Sequence, residues 1–129
     1  MHPFRRPWLW LGLWLAAVLA VIALSLVAAP KLPEVPTGGD KVEHFLAYFL
    51  LAAGAVQLFR IPRYWLWCTA GLVAMGIGLE FAQGAFTVDR MADPMDALAN
   101  TLGALGGLAI ALTPLRDLLL RWETRAARR

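Results

Sequence analysis

The chain has 129 residues, 60% of them hydrophobic and only 16% charged, with a formal net charge of +3. A soluble domain of this size keeps too much of its surface wet to hide that much apolar area, and disordered chains have the opposite composition, so both classes are excluded. The single cysteine, Cys68, excludes an internal disulfide and a cysteine-built metal site.

Four apolar stretches follow in order. Residues 8–29 carry no charge, and Ser25 is their most polar member. Residues 42–59 are charged only at their start. Residues 64–83 contain one charge, Glu80, and residues 94–113 contain one, Asp96. About 20 residues of helix cross a hydrocarbon core. The predicted fold class is therefore all-α: a single domain over residues 1–129 built as an integral membrane bundle of four transmembrane helices, with a basic tail at 114–129. Pro3, Pro7, Pro30, Pro33, Pro36, Pro62, Pro94 and Pro114 all fall at span ends or between spans, where a missing backbone donor costs least. The first span follows Arg5 and Arg6 as a signal peptide would, but its apolar run exceeds the 7–15 residues of a signal core. It is expected to be a retained anchor.

Orientation is read from Lys and Arg. Arg5, Arg6, Arg60, Arg63, Arg116, Arg121, Arg125, Arg128 and Arg129 would share one side, against Lys31, Lys41 and Arg90 on the other. Nine against three predicts both termini in the cytoplasm of a bacterial inner-membrane protein. Trp8, Trp10, Trp14, Trp65, Trp67 and Trp122 lie near the same ends and suit an interfacial belt. The Arg-rich tail is expected to lie on anionic lipid as a short helix, and nucleic acid is not expected as a partner.

Most other polarity gathers at the opposite ends. Asp40, His44 and Tyr48 are four apart and share one helix face. Glu80 and Gln83 close the third span. Asp93, Asp96, Asn100, Gly103 and Gly107 run down one stripe of the fourth, where the glycines allow a neighbouring helix to approach. A charge in mid-membrane costs roughly 3 kcal/mol even on conservative scales, so these faces should turn toward each other around an outward polar pocket. The first span brings nothing polar and should only pack.

Ordinary duties compete with chemistry at several positions. Asp40 with Glu43, and Asp93-Pro94 with Asp96, are helix-capping patterns. Lys41 can snorkel, and Tyr48 and Asn100 can serve as interhelical hydrogen-bond partners. Glu80 resists such a reading best, because an acid in the last turn of a helix opposes the dipole and either needs a partner such as Arg90, Lys41 or His44 or must be protonated. Glu80 and His44 are the candidates for acid/base work. His44 with Glu80, Asp93 and Asp96 has atoms suited to a divalent metal, but one histidine with scattered acids does not assign one; neither a metal nor a cofactor is predicted. A weak alignment of the second and fourth spans (Asp40 with Asp93, Glu43 with Asp96, Gly54 with Gly107) hints at a parallel repeat.

The run Asp40-Lys41-x-x-His44-Phe45-x-x-Tyr48 resembles the signature at the second span of the VanZ-like family. So does Glu80-x-x-Gln83 followed by Arg90-x-x-Asp93-x-x-Asp96-x-x-x-Asn100-x-x-Gly103. That family consists of small membrane proteins named for a member linked to low-level teicoplanin resistance, and some members carry a phosphotransbutyrylase label. The label fits poorly here, because the chain has no soluble domain to hold an acyl-CoA. The resemblance implies an envelope-associated protein. The expected ligand site comprises Lys41, His44, Tyr48, Glu80, Gln83, Arg90, Asp93, Asp96 and Asn100, with Lys41 and Arg90 meeting an anionic lipid head group or cell-wall precursor. A membrane enzyme acting on a lipid or isoprenoid phosphate, or a small transporter, is the alternative. The bilayer is the expected partner, and a homo-oligomer is compatible with the sequence.

Overall fold

The computed structural model describes residues 1–26, 39–86 and 93–127. The described residues form five α-helices: α1 (Pro7–Leu26), α2 (Gly39–Leu58), α3 (Pro62–Phe86), α4 (Pro94–Ala109) and α5 (Leu118–Ala126). Among the described residues there is no strand. Two 3-10 turns, Ile110–Leu112 and Pro114–Asp117, join α4 to α5. The expected fourth span thus ends as regular helix at Ala109, four residues before Thr113. The chain tightens there because Pro114 lacks an N–H and disfavours helical geometry in the residue before it; Thr113 is extended, and its side chain caps the next turn by accepting from Leu115 N.

Among the described residues, three segments are long and apolar enough to cross a membrane: Pro7–Leu26, Pro62–Ala85 and Pro94–Leu112. α2 is not among them, because Asp40, Lys41, Glu43 and His44 crowd its first turns. Yet α2 is the helix at the centre. It packs against α1, α3, α4 and α5, most extensively against α4. It buries Tyr48, Leu51, Ala52, Ala55, Val56 and Leu58, whereas α1 buries nothing fully and leaves Leu13, Leu19 and Leu24 exposed. A helix surrounded by others can carry polar groups that an outer helix cannot.

The α2–α4 interface is a fit of small residues against backbone. A Cβ on Gly103 would run into the carbonyl oxygen of Phe45. One turn on, a Cβ on Gly107 would meet the carbonyl oxygen of Phe49 and lie 2.8 Å from both Ala52 Cβ and Ala53 N. The two glycines and the two phenylalanines share the four-residue step, so the backbones stay in contact along the crossing, as small-xxx-small pairs allow. The expectation that this stripe admits a neighbour is met, and the neighbour is α2. Ala104 is fully buried between the glycines. On α3, Gly76 makes room for Asn100 and Tyr48: a Cβ there would sit 3.1 Å from Asn100 Cβ and 3.2 Å from Tyr48 Cε1.

Both ends of the chain meet at one end of the bundle. His2 N donates to Leu58 O at 2.9 Å, and Arg5 N donates to Glu123 Oε2 at 2.8 Å. Glu123 Oε1 accepts from the Trp10 indole at 2.8 Å, and Trp10 stacks edge-on against Trp122 with centroids 6.1 Å apart. Gln57 holds α5 by accepting from Leu119 N and donating to Leu115 O. The tail is a short helix, as expected, and its inner face is docked on α1 and α2.

Candidate functional site

The polar residues at the start of α2, in the last turns of α3 and at the start of α4 gather at the end of the bundle opposite the termini. Asp93 is the N-cap of α4: its carboxylate accepts from Met95 N at 2.8 Å, and Pro94 opens the helix. The capping expectation for Asp93 holds. Asp40, by contrast, lies inside the first turn of α2, which begins at Gly39.

Lys41 is the hub. Its ammonium donates to Asp93 Oδ2 at 2.9 Å, Asp96 Oδ1 at 3.1 Å and Asp40 Oδ2 at 3.2 Å. These contacts tie the first turn of α2 to that of α4. The hydrogen bond from Lys41, helped by the Met95 N–H, holds the Asp93 carboxyl below its ordinary range. Lys41 is therefore engaged by three carboxylates and is not an open contact for an anionic group. Arg90, the other cation expected here, lies outside the described residues.

One turn deeper, His44 Nδ1 lies 3.0 Å from Asn100 Oδ1, and His44 Nε2 lies 3.8 Å from Asp96 Oδ2. Asn100 is 2% exposed. Glu80 comes in from α3; it is buried, and its Oε2 accepts from Asp93 N at 3.3 Å. α3 runs on to Phe86, so Glu80 lies well over a turn inside the helix rather than in its last turn, and its partner is this backbone N–H from the start of α4. One donor atom each from His44, Glu80 and Asp96 lie within 4.8 Å of one another. Tyr48, one turn below His44, is 2% exposed, and its hydroxyl has no hydrogen-bond partner among the described residues.

Gln83 is buried and donates to Ser25 O on α1 at 2.8 Å. The first span was expected to bring nothing polar; its backbone carbonyl nevertheless joins the network. Ser25, Glu43, His44 and Tyr48 line a cavity of about 200 Å³ beside the cluster. The structure so brings Lys41, His44, Glu80, Asp93, Asp96 and Asn100 into one network, sets Tyr48 beneath it and holds Gln83 at its α1 side.

A second, apolar cavity of about 610 Å³ opens near the termini between Trp10, Trp14, Gly54, Leu118 and Trp122. It went unread in the sequence, because its walls come from α1, α2 and α5 and no local pattern links them. Gly54 faces the Trp14 ring there, whereas Gly107 faces the α2 backbone. The two glycines of the weak repeat thus have different surroundings.

Comparison of the chain with protein-family models, with curated proteins and with solved structures finds no match.

Proposed function

We propose that the protein is a four-span inner-membrane protein, with both termini in the cytoplasm, that binds a lipid or cell-wall-related ligand of the envelope in the polar cluster at the outer ends of α2, α3 and α4. The observation that carries the reading is the network from Lys41 through Asp96 and His44 to Asn100, joined by Glu80. It is built from three helices, and it lies at the end of the bundle away from the termini. The meeting of both terminal segments at one end supports an even number of crossings. The nine-to-three Arg/Lys bias supports the cytoplasmic side for that end. The central place of α2 supports its counting as the fourth span despite its charged first turns.

The engagement of Lys41 shifts the chemistry of recognition. Asp40, Asp93 and Asp96 surround one ammonium and Glu80 adds a fourth carboxyl beside Asp93, so the cluster is acid-rich and favours a ligand that presents hydrogen-bond donors or a cation. An envelope role, with reduced sensitivity to lipoglycopeptides as its cellular readout, is part of the proposal and rests on the sequence resemblance of residues 40–48 and 80–103 to the VanZ-like family, for which no family model matches the chain. A second reading, an enzyme acting on a lipid or isoprenoid phosphate, is favoured by one observation: His44, Glu80 and Asp96 converge on one point. Native mass spectrometry of the detergent-purified chain tests the binding reading. A retained envelope lipid or precursor in the wild type, lost in Asp96→Asn, is expected; identical lipid retention in both would contradict it.

A further inference from the structure

His44 has one nitrogen committed and one open. Asn100 Oδ1 can only accept, so at 3.0 Å it fixes the proton on His44 Nδ1. The other ring nitrogen, Nε2, faces Asp96 Oδ2 at 3.8 Å, beyond hydrogen-bond distance. A cation placed between this nitrogen and this carboxylate oxygen, whether a proton or a metal ion, would be bound by both. The other Asp96 oxygen is held by Lys41 at 3.1 Å, which turns Oδ2 toward the histidine. Glu80 offers a third donor atom from α3, with its own orientation set by Asp93 N. One donor atom from each of His44, Glu80 and Asp96 falls within 4.8 Å of the other two. Tetrahedral ligands about 2.1 Å from a zinc ion are about 3.4 Å apart, so small rotations of the three side chains would close the set.

A group of acids alone would mean little, but two features here point to a ligand. A metal-bound histidine ordinarily donates its other N–H to a fixed oxygen, which is the role Asn100 takes. Tyr48, one turn below His44, is 2% exposed, and its hydroxyl has no partner among the described residues. A buried hydroxyl is seldom left without a partner.

We propose that His44 Nε2, Glu80 and Asp96 Oδ2 form a binding site for a divalent transition metal ion of the zinc class, open on one side, with Asn100 as its positioning residue. One imidazole with two carboxylates selects zinc-like ions over magnesium and calcium, which prefer all-oxygen sets. This deepens the outward-pocket reading and rests on it: an open metal position supplies the cation that an acid-rich site lacks for meeting an anionic head group.

The test uses the full chain in detergent, stripped with chelator and titrated with Zn²⁺, with Co²⁺ as the spectroscopic probe. One equivalent of Zn²⁺ should bind, and Co²⁺ should give visible bands of the intensity expected of four- or five-coordination. His44→Gln and Glu80→Gln should each weaken Zn²⁺ by at least about 100-fold, and Asn100→Ala by about 10–100-fold. His2→Ala should bind as the wild type does, since His2 sits at the other end of the bundle against Leu58. Absence of stoichiometric Zn²⁺ binding and of the Co²⁺ bands in the wild type overturns the proposal without reliance on any variant. So does binding that survives both His44→Gln and Glu80→Gln. Lipid retention in the stripped protein is measured alongside. Lipid without metal binding overturns the metal site and leaves the ligand reading standing; metal binding without lipid does the reverse.

Discussion

Gly103 of α4 sits against the carbonyl of Phe45 on α2 so closely that no side chain fits between them. This contact, repeated one turn on by Gly107 against Phe49, sets the distance between the two helices that carry most of the polar cluster. Gly103→Ala should therefore destabilise the protein by about 1–3 kcal/mol, the usual range for overpacking. Gly78→Ala is the control: nothing lies within 4 Å of its added Cβ, so it should be neutral or stabilising by up to about 1 kcal/mol. Thermal unfolding in detergent checks both. Equal melting temperatures for the two variants would mean that α4 does not press on α2.

Lys41 separates three carboxylates that would otherwise repel one another. Lys41→Met should lower the melting temperature at pH 8 and lower it progressively less as pH falls toward 4. The sign follows from protonation. Losing the ammonium raises the carboxyl pKa values, so acid relieves the variant before it affects the wild type. A deficit that is constant with pH would show that Lys41 contributes packing rather than charge.

Much of this arrangement was legible because it is local. Apolar runs of about 20 residues, the Asp93-Pro94 start of α4 and the four-residue step of Gly103 and Gly107 are all patterns within one helix. The hub at Lys41 was not legible, because it joins residues 52 and 55 positions apart, and a lysine at a helix start looks the same whether it snorkels or bridges. Glu123 is a further case. In the sequence it is one acid in a basic tail; in the structure it is 9% exposed and accepts from Trp10, 113 residues away.

Glu123 supplies the pH prediction for the terminal end. Burial pushes its carboxyl up, but hydrogen bonds from the Trp10 indole and the N–H groups of Arg5 and Arg6 outweigh this and hold it below its ordinary value. A folded pKa below the unfolded one stabilises fully above about pH 4.5 and is lost as pH falls through the folded value. Glu123→Gln should thus lower the melting temperature at pH 7 and flatten its fall in acid. An unchanged acid limb would mean that α5 does not rely on this carboxylate.

Asn100 is buried against Gly76, and its Oδ1 accepts the hydrogen bond from His44 Nδ1. Asn100→Leu keeps volume but leaves His44 Nδ1 without its acceptor, which should cost about 1–3 kcal/mol. Double-mutant cycles with His44→Gln check it: the two losses should be clearly less than additive. Full additivity would indicate that the pair is not coupled across the interface.

The central claim is that the polar cluster opens on the side of the membrane opposite the termini. In a Cys68→Ser background, Gly39→Cys marks the cluster end and Arg125→Cys the terminal end. A membrane-impermeant maleimide should label Gly39→Cys in intact spheroplasts and Arg125→Cys only after lysis. Labelling of both positions in intact spheroplasts, or of Arg125→Cys alone, would contradict the account.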